Sequence, residues 1–93
     1  MEFYIKCKVD KQRRFSYMCF LGKNQPFVFG FDPDYPGMVS VRKMTMELDV
    51  PDFLIHLSDD KGRITIPSRL LPKGTKEVWI TFKDKNCMLL EFH

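Results

Sequence analysis

The chain has 93 residues, 44% of them apolar and 29% charged. That balance predicts one globular unit over 1–93 and argues against a disordered tail or two independently folding domains. A formal net charge of +3 hides an uneven distribution, and no apolar run approaches the ~20 residues of a membrane-spanning helix.

Period-two alternation dominates from the start. Phe3, Ile5, Cys7 and Val9 alternate with Tyr4, Lys6 and Lys8, the pattern of a strand with one buried face. A turn is expected over Asp10–Arg13, then a second alternating strand carrying Phe15, Tyr17, Cys19 and Leu21. Gly22–Pro26 breaks the chain, and Phe27, Phe29 and Phe31 predict a third strand. Asp32–Gly37, with two prolines and a terminal glycine, is the strongest turn signal and leads into a fourth strand over Met38–Val41.

A further strand is expected over Met44–Val50, ended by Pro51. Phe53, Ile55 and Leu57 follow as an apolar face, with His56 opposite. The turn Asp59–Gly62 precedes a short strand, Arg63–Pro67, and Ser68–Leu71 fits one helical turn at most before Pro72 and Gly74. Val78, Ile80 and Phe82 alternate with Trp79 and Thr81, Asp84–Asn86 is a hairpin turn, and Cys87–Phe92 is the last strand. The expected fold is all-β with little helix, a small barrel whose closure removes exposed strand edges. Aromatic residues, 14% of the chain, are an efficient filling for a core this small.

A weak internal repeat joins residues 3–41 to 52–92. A shift of 49 carries Asp10 onto Asp59, Arg14 onto Arg63 and Phe15 onto Ile64. A shift of 51 carries Phe27 onto Val78, Phe31 onto Phe82, Met38 onto Leu89 and Val41 onto Phe92. Each half then reads as strand, charged turn, strand, connection, strand, turn, strand.

Cys7, Cys19 and Cys87 form no CxxC and have no histidine at zinc-ligand spacing, so no metal or other cofactor is expected and the thiols read as reduced. Glu2, Lys6 and Lys8 stand where a secretory leader would carry its apolar core, and a cytoplasmic location without a membrane partner is expected. Catalysis is not expected. His56 has no nucleophile motif beside it, the acidic pairs lie in turns where Asp is ordinary, and no glycine-rich phosphate loop occurs.

Charge falls in blocks: residues 6–14 hold five cations against one acid, residues 44–60 five acids and no Lys or Arg, and residues 61–76 five cations and no acid. The segment 58–92 contains Asp59, Gly62, Arg63, Ile66 and Pro67 in the spacing D-x-x-G-R-x-x-I-P, followed by strand, turn and strand. In this it resembles the AbrB/SpoVT swapped-hairpin family, its MraZ-like members in particular. Residues 5–41 match as a degraded copy, in which Asp10 and Arg14 remain, Arg13 replaces the glycine, and the Ile-Pro step is missing. The resemblance implies that the two halves interlock their hairpins into one pseudo-twofold barrel. It also implies a small transcriptional regulator that binds double-stranded DNA.

The residues expected to meet DNA are Lys11, Arg13, Arg14, Lys61, Arg63 and Arg69, in or beside the two equivalent turns. Six engaged phosphates would give a log K versus log salt slope of about −5. The reading requires the two turns to end up side by side and Arg14 and Arg63 not both to be locked into internal ion pairs. Arg63 is the one most exposed to capture, by Asp59. Two competing readings remain open. One is single-stranded nucleic acid on Tyr4, Lys6, Lys8, Arg14, Tyr17 and Phe20. The other is a protein-interaction module, such as an antitoxin-like partner or a phage- or plasmid-type inhibitor of a host protein, with a homodimer made by acidic and basic strips as a further option.

Overall fold

Eight strands and three short helical turns make up the ordered elements of the computed structural model, which describes residues 4–44 and 51–93 and only the backbone of Asp52. The strands are β1 (Ile5–Lys8), β2 (Arg14–Ser16), β3 (Pro26–Phe31), β4 (Val39–Lys43), β5 (Ile55–Leu57), β6 (Arg63–Thr65), β7 (Glu77–Asp84) and β8 (Cys87–Phe92). One α-helical turn, α1 (Met18–Leu21), and two 3-10 turns, Asp52–Leu54 and Ser68–Leu70, complete the fold. The protein is thus mostly β, as its alternation predicts. Six strands form an antiparallel sheet in the order β1-β7-β8-β4-β3-β5, while β2 and β6 pair with each other as a two-stranded ribbon.

The pairing pattern repeats between the halves. Ile5 faces Ile80 in β1·β7, and Val28 faces Ile55 in β3·β5. Phe29 faces Val41 in β3·β4, and its counterpart Ile80 faces Leu90 in β7·β8. Val41 therefore corresponds to Leu90 and not, as the sequence match has it, to Phe92. The shift of 51 holds for β3 and β7 and returns to 49 for β4 and β8. The ribbon centres on Phe15 opposite Ile64, two residues that correspond to each other.

The core lies on the inward side of both layers. Phe15, Phe27, Phe29, Val41, Ile64, Ile66, Val78, Ile80, Met88 and Leu90 are all buried there. Burying such side chains supplies most of the driving force in a domain this small. Asp32 is buried as well, and a carboxylate there must be paired. It accepts hydrogen bonds from Lys83 and Arg42 and from the backbone N–H of Asp34, which ties the loop after β3 to β4 and β7.

Three expectations change. The second strand stops at Ser16, and Met18–Leu21 is helical. Phe20 and Leu21 are consecutive and both buried, which no strand with one inward face allows, while Cys19 is exposed. Gly22, at φ 62, closes the turn by donating its N–H to Met18 O. The apolar face assigned to Phe53, Ile55 and Leu57 is turned outward: Phe53 is 78% exposed and Leu57 64%. Because His56 pairs with the buried Phe27, its ring points inward instead and meets Phe29 edge-on at 5.2 Å. The fourth strand runs Val39–Lys43, two residues longer at its end than expected. The strand expected over Met44–Val50 falls at residues 45–50, outside the described residues.

The two turns make opposite demands on residue type at one shared backbone position. Gly62 has φ 69, and a Cβ there would stand 2.9 Å from Met18 Cα. Arg13 occupies the equivalent place at φ 61, a conformation that costs a non-glycine residue about 1–2 kcal/mol. Gly62→Arg should therefore destabilise the fold by more than about 2 kcal/mol. Arg13→Gly, whose strain relief offsets its gain in unfolded-state freedom, should stay within about 1 kcal/mol of the parent. Urea unfolding of both variants checks the pair, and equal losses at the two sites would contradict it.

Candidate nucleic-acid interface

Each charged turn is organised by one aspartate. Asp10 Oδ1 accepts the backbone N–H groups of Gln12 and Arg14, both at 2.9 Å, while Oδ2 accepts Arg14 Nε at 2.9 Å. Asp59 repeats the arrangement with Lys61 N and Arg63 N at 2.9 Å and Arg63 Nε at 2.7 Å. The backbone follows suit: Arg13 N donates to Asp10 O, and Gly62 N donates to Asp59 O. The next carbonyls cross between halves, with Ile66 N donating to Arg13 O and Tyr17 N to Gly62 O. Arg13 adds a bond from its own Nε to Ile66 O at 3.2 Å. Sequence spacing alone identifies both aspartates, because an Asx turn needs a carboxylate two residues before its donor N–H.

The ribbon sets these corners on one solvent face. Phe15 and Ile64 point inward, so Arg14, Ser16, Arg63 and Thr65 point outward. Arg14 sits opposite Thr65 and Arg63 opposite Ser16. The two arginines are thus diagonal neighbours, with backbones about 7–8 Å apart. Side-by-side placement holds for this pair. Freedom of charge does not, since Arg14 and Arg63 are both bound by internal ion pairs. They are withdrawn as free cations. Each pair uses Nε, and among the described residues the Nη groups of both arginines have no hydrogen-bond partner.

The corners also differ electrically. Residues 10–14 carry Lys11, Arg13 and Arg14 against Asp10, whereas residues 59–63 carry Lys61 and Arg63 against Asp59 and Asp60. The first corner is cationic and the second neutral. Lys11, Arg13 and Lys61 are exposed. Arg69, also exposed, belongs to the 3-10 turn after β6, and its charge is felt by His56 on β5. Of the rings considered for single strands, Phe20 is only 6% exposed and its face is covered by Lys43 Nζ at 4.6 Å, which rules it out as a stacking platform. Lys6 lies 4.4 Å over the Trp79 ring, a contact the strand alternation does not reveal.

No helix among the described residues is long and apolar enough to cross a membrane, and no cluster of three or more potential metal ligands occurs among them. No family model, curated protein or solved structure matches the chain.

These contacts fix an acid response. Backbone N–H groups, Arg63's above all, hold the Asp59 carboxyl down to about 2. Asp10 is lowered chiefly by the Arg14 N–H, and Asp32 chiefly by its bond from Lys83. Burial, and then the Arg69 charge, pushes the His56 imidazole below its ordinary value. All four groups take up protons more readily when unfolded, so each contributes stability that is lost as pH falls. The urea midpoint should decline in two stages, first below about pH 6.5 as unfolded His56 protonates, then below about pH 4 with the carboxylates. His56→Gln should remove the upper stage and keep the lower one. An upper stage unchanged in that variant would assign it to another group.

Proposed function

We propose that the chain is a small DNA-binding regulator of swapped-hairpin type, in which one polypeptide supplies both halves of a barrel-like unit. Neighbouring positions for Arg14 and Arg63 meet one requirement of this reading, and their ion pairs with Asp10 and Asp59 fail the other. What supports it is the pair of Asp-anchored turns flanking the β2·β6 ribbon, with Lys11, Arg13 and Lys61 exposed in them. The D-x-x-G-R-x-x-I-P spacing and its degraded copy, the basis of the likeness to the AbrB/SpoVT family, fall on these two turns. A reduced, cytoplasmic setting suits three free thiols.

In this reading Lys11, Arg13 and Lys61 contact phosphates by charge. Arg14 and Arg63 act differently: each is oriented through Nε by its aspartate and presents its Nη edge to a phosphate or a guanine. An arginine held in place loses less side-chain entropy on binding than a mobile one. Its charge, however, is largely compensated, so electrostatic affinity is modest. Three phosphates engaged by Lys11, Arg13 and Lys61 would give a salt slope of about −3, against about −5 for six.

Fluorescence anisotropy on a random duplex from 50 to 300 mM salt, roughly the range over which such slopes are measured, tests this. Lys11→Ala/Arg13→Ala should weaken binding by at least about tenfold at low salt and make the slope shallower by about 2. Lys61→Ala should cost less, because its corner is already neutral. No binding at low salt, or binding without salt dependence, would exclude the regulator. Retention of a host protein from lysate by a chain that ignores duplex, single strand and RNA would favour the interaction module.

A further inference from the structure

The six-stranded sheet ends in two edges that hold equivalent places in the two halves. β1 closes one side against β7, and β5 closes the other against β3. The shift of 49 carries Lys6 onto Ile55, Cys7 onto His56 and Lys8 onto Leu57. Their backbones alternate alike. Ser58 N donates to Gln25 O, so two residues back His56 exchanges its backbone bonds with Phe27. The N–H and C=O groups of Ile55 and Leu57 therefore point away from β3, and no other described residue bonds them. Val9 N donates to Lys76 O, which by the same rule turns the backbone groups of Lys6 and Lys8 outward.

The side chains at these matched positions differ in kind. On β1 they are two exposed lysines, a standard means of keeping a sheet edge from pairing with another chain. On β5 they are Ile55 and Leu57, with Leu57 exposed. Phe53, in the turn leading into β5, and Phe31, ending β3, are exposed as well. Three of the six exposed large apolar side chains among the described residues thus lie on β3, β5 or that turn.

The occupant that fits this edge is the edge itself. A twofold axis at His56 lays a second β5 antiparallel to the first and sets Ile55 opposite Leu57 of the second copy. Each such pair exchanges both of its outward N–H···O=C bonds and joins two apolar side chains. On a twofold axis like meets like. The same operation on β1 would set lysine against lysine, whereas β5 carries no charged residue. We propose that two copies of this chain pair β5 with β5, joining their sheets across the axis. The contact is three residues a side and belongs to the small, weak class of interfaces. It uses neither charged turn and stands apart from the nucleic-acid reading.

Sedimentation equilibrium between about 5 and 500 µM should show monomer and dimer with a Kd of about 100 µM or tighter. The amides of Ile55 and Leu57 should exchange with solvent at least about threefold more slowly at the upper concentration, by mass action. That of His56, bonded within the chain, should be slow at both. Leu57→Lys copies the β1 edge and should weaken the dimer at least about tenfold, with an unchanged thermal melt at low concentration. A monomer throughout, or a dimer that survives Leu57→Lys, would overturn the proposal. So would Ile55 and Leu57 amides equally slow at both concentrations, which would place their partners within one chain. A dimer that spares these amides and dissolves in about 1 M salt would assign association to the charged strips instead.

Discussion

The fold depends on a reciprocal stitch between its halves. Each aspartate closes a tight turn by accepting two backbone N–H groups, and the residue at positive φ in that turn then offers its carbonyl to the opposite half. Arg13 O receives Ile66 N, and Gly62 O receives Tyr17 N. Neither bond forms unless the other half's turn is in place, so the ribbon β2·β6 assembles cooperatively around Phe15 and Ile64. These contacts span 45 to 53 positions of sequence. Their loop-closure cost is met only when the whole inward face condenses.

That stitch also limits what the face can do electrically. The carboxylate that shapes each turn is the one that captures the following arginine, so architecture and free charge compete for the same side chain. The two corners resolve the conflict differently. In the first, Arg13 takes the positive-φ position in place of glycine, at a conformational cost, and with Lys11 leaves the corner cationic. In the second, Gly62 takes that position without strain while Asp60 offsets Lys61. A face with one charged and one neutral end has a direction that a strict twofold would lack.

Much of this was legible in the sequence because it is local. Alternation at period two found the strands, and the Asp-to-Arg spacing found both turns, including the one that lacks its glycine. The offset between halves was readable through β3 and β7, where Phe27 and Phe29 answer Val78 and Ile80, but drifted at β4 and β8. Alternating apolar residues match at either register, and only the pairing of Ile80 with Leu90 decides between them. Spacing points to the capture of Arg63 by Asp59 but not to that of Arg14 by Asp10. Whether a side chain turns back on its own turn or out to solvent is a rotamer choice that spacing permits without selecting.

Where local pattern misled, neighbours had overridden it. Tyr17, Cys19 and Leu21 alternate like a strand, yet consecutive burial of Phe20 and Leu21 demands a helical turn, and Gly22 permits one. Alternation sets His56 opposite an apolar face of Phe53, Ile55 and Leu57, but its pairing with Phe27 turns it in and leaves Leu57 in solvent. The α1 case reaches furthest. The connection after β2 and its counterpart after β6 leave the ribbon from equivalent carbonyl-paired positions, Tyr17 and Ile66. They then diverge into an apolar helical turn and a polar 3-10 turn. Met18 at the start of α1 lies over Gly62, where a Cβ would stand 2.9 Å from its Cα, so close packing as well as φ holds a glycine in the second turn while Arg13 takes the same φ in the first. The helical turn α1 and the second corner are therefore set by one packing constraint.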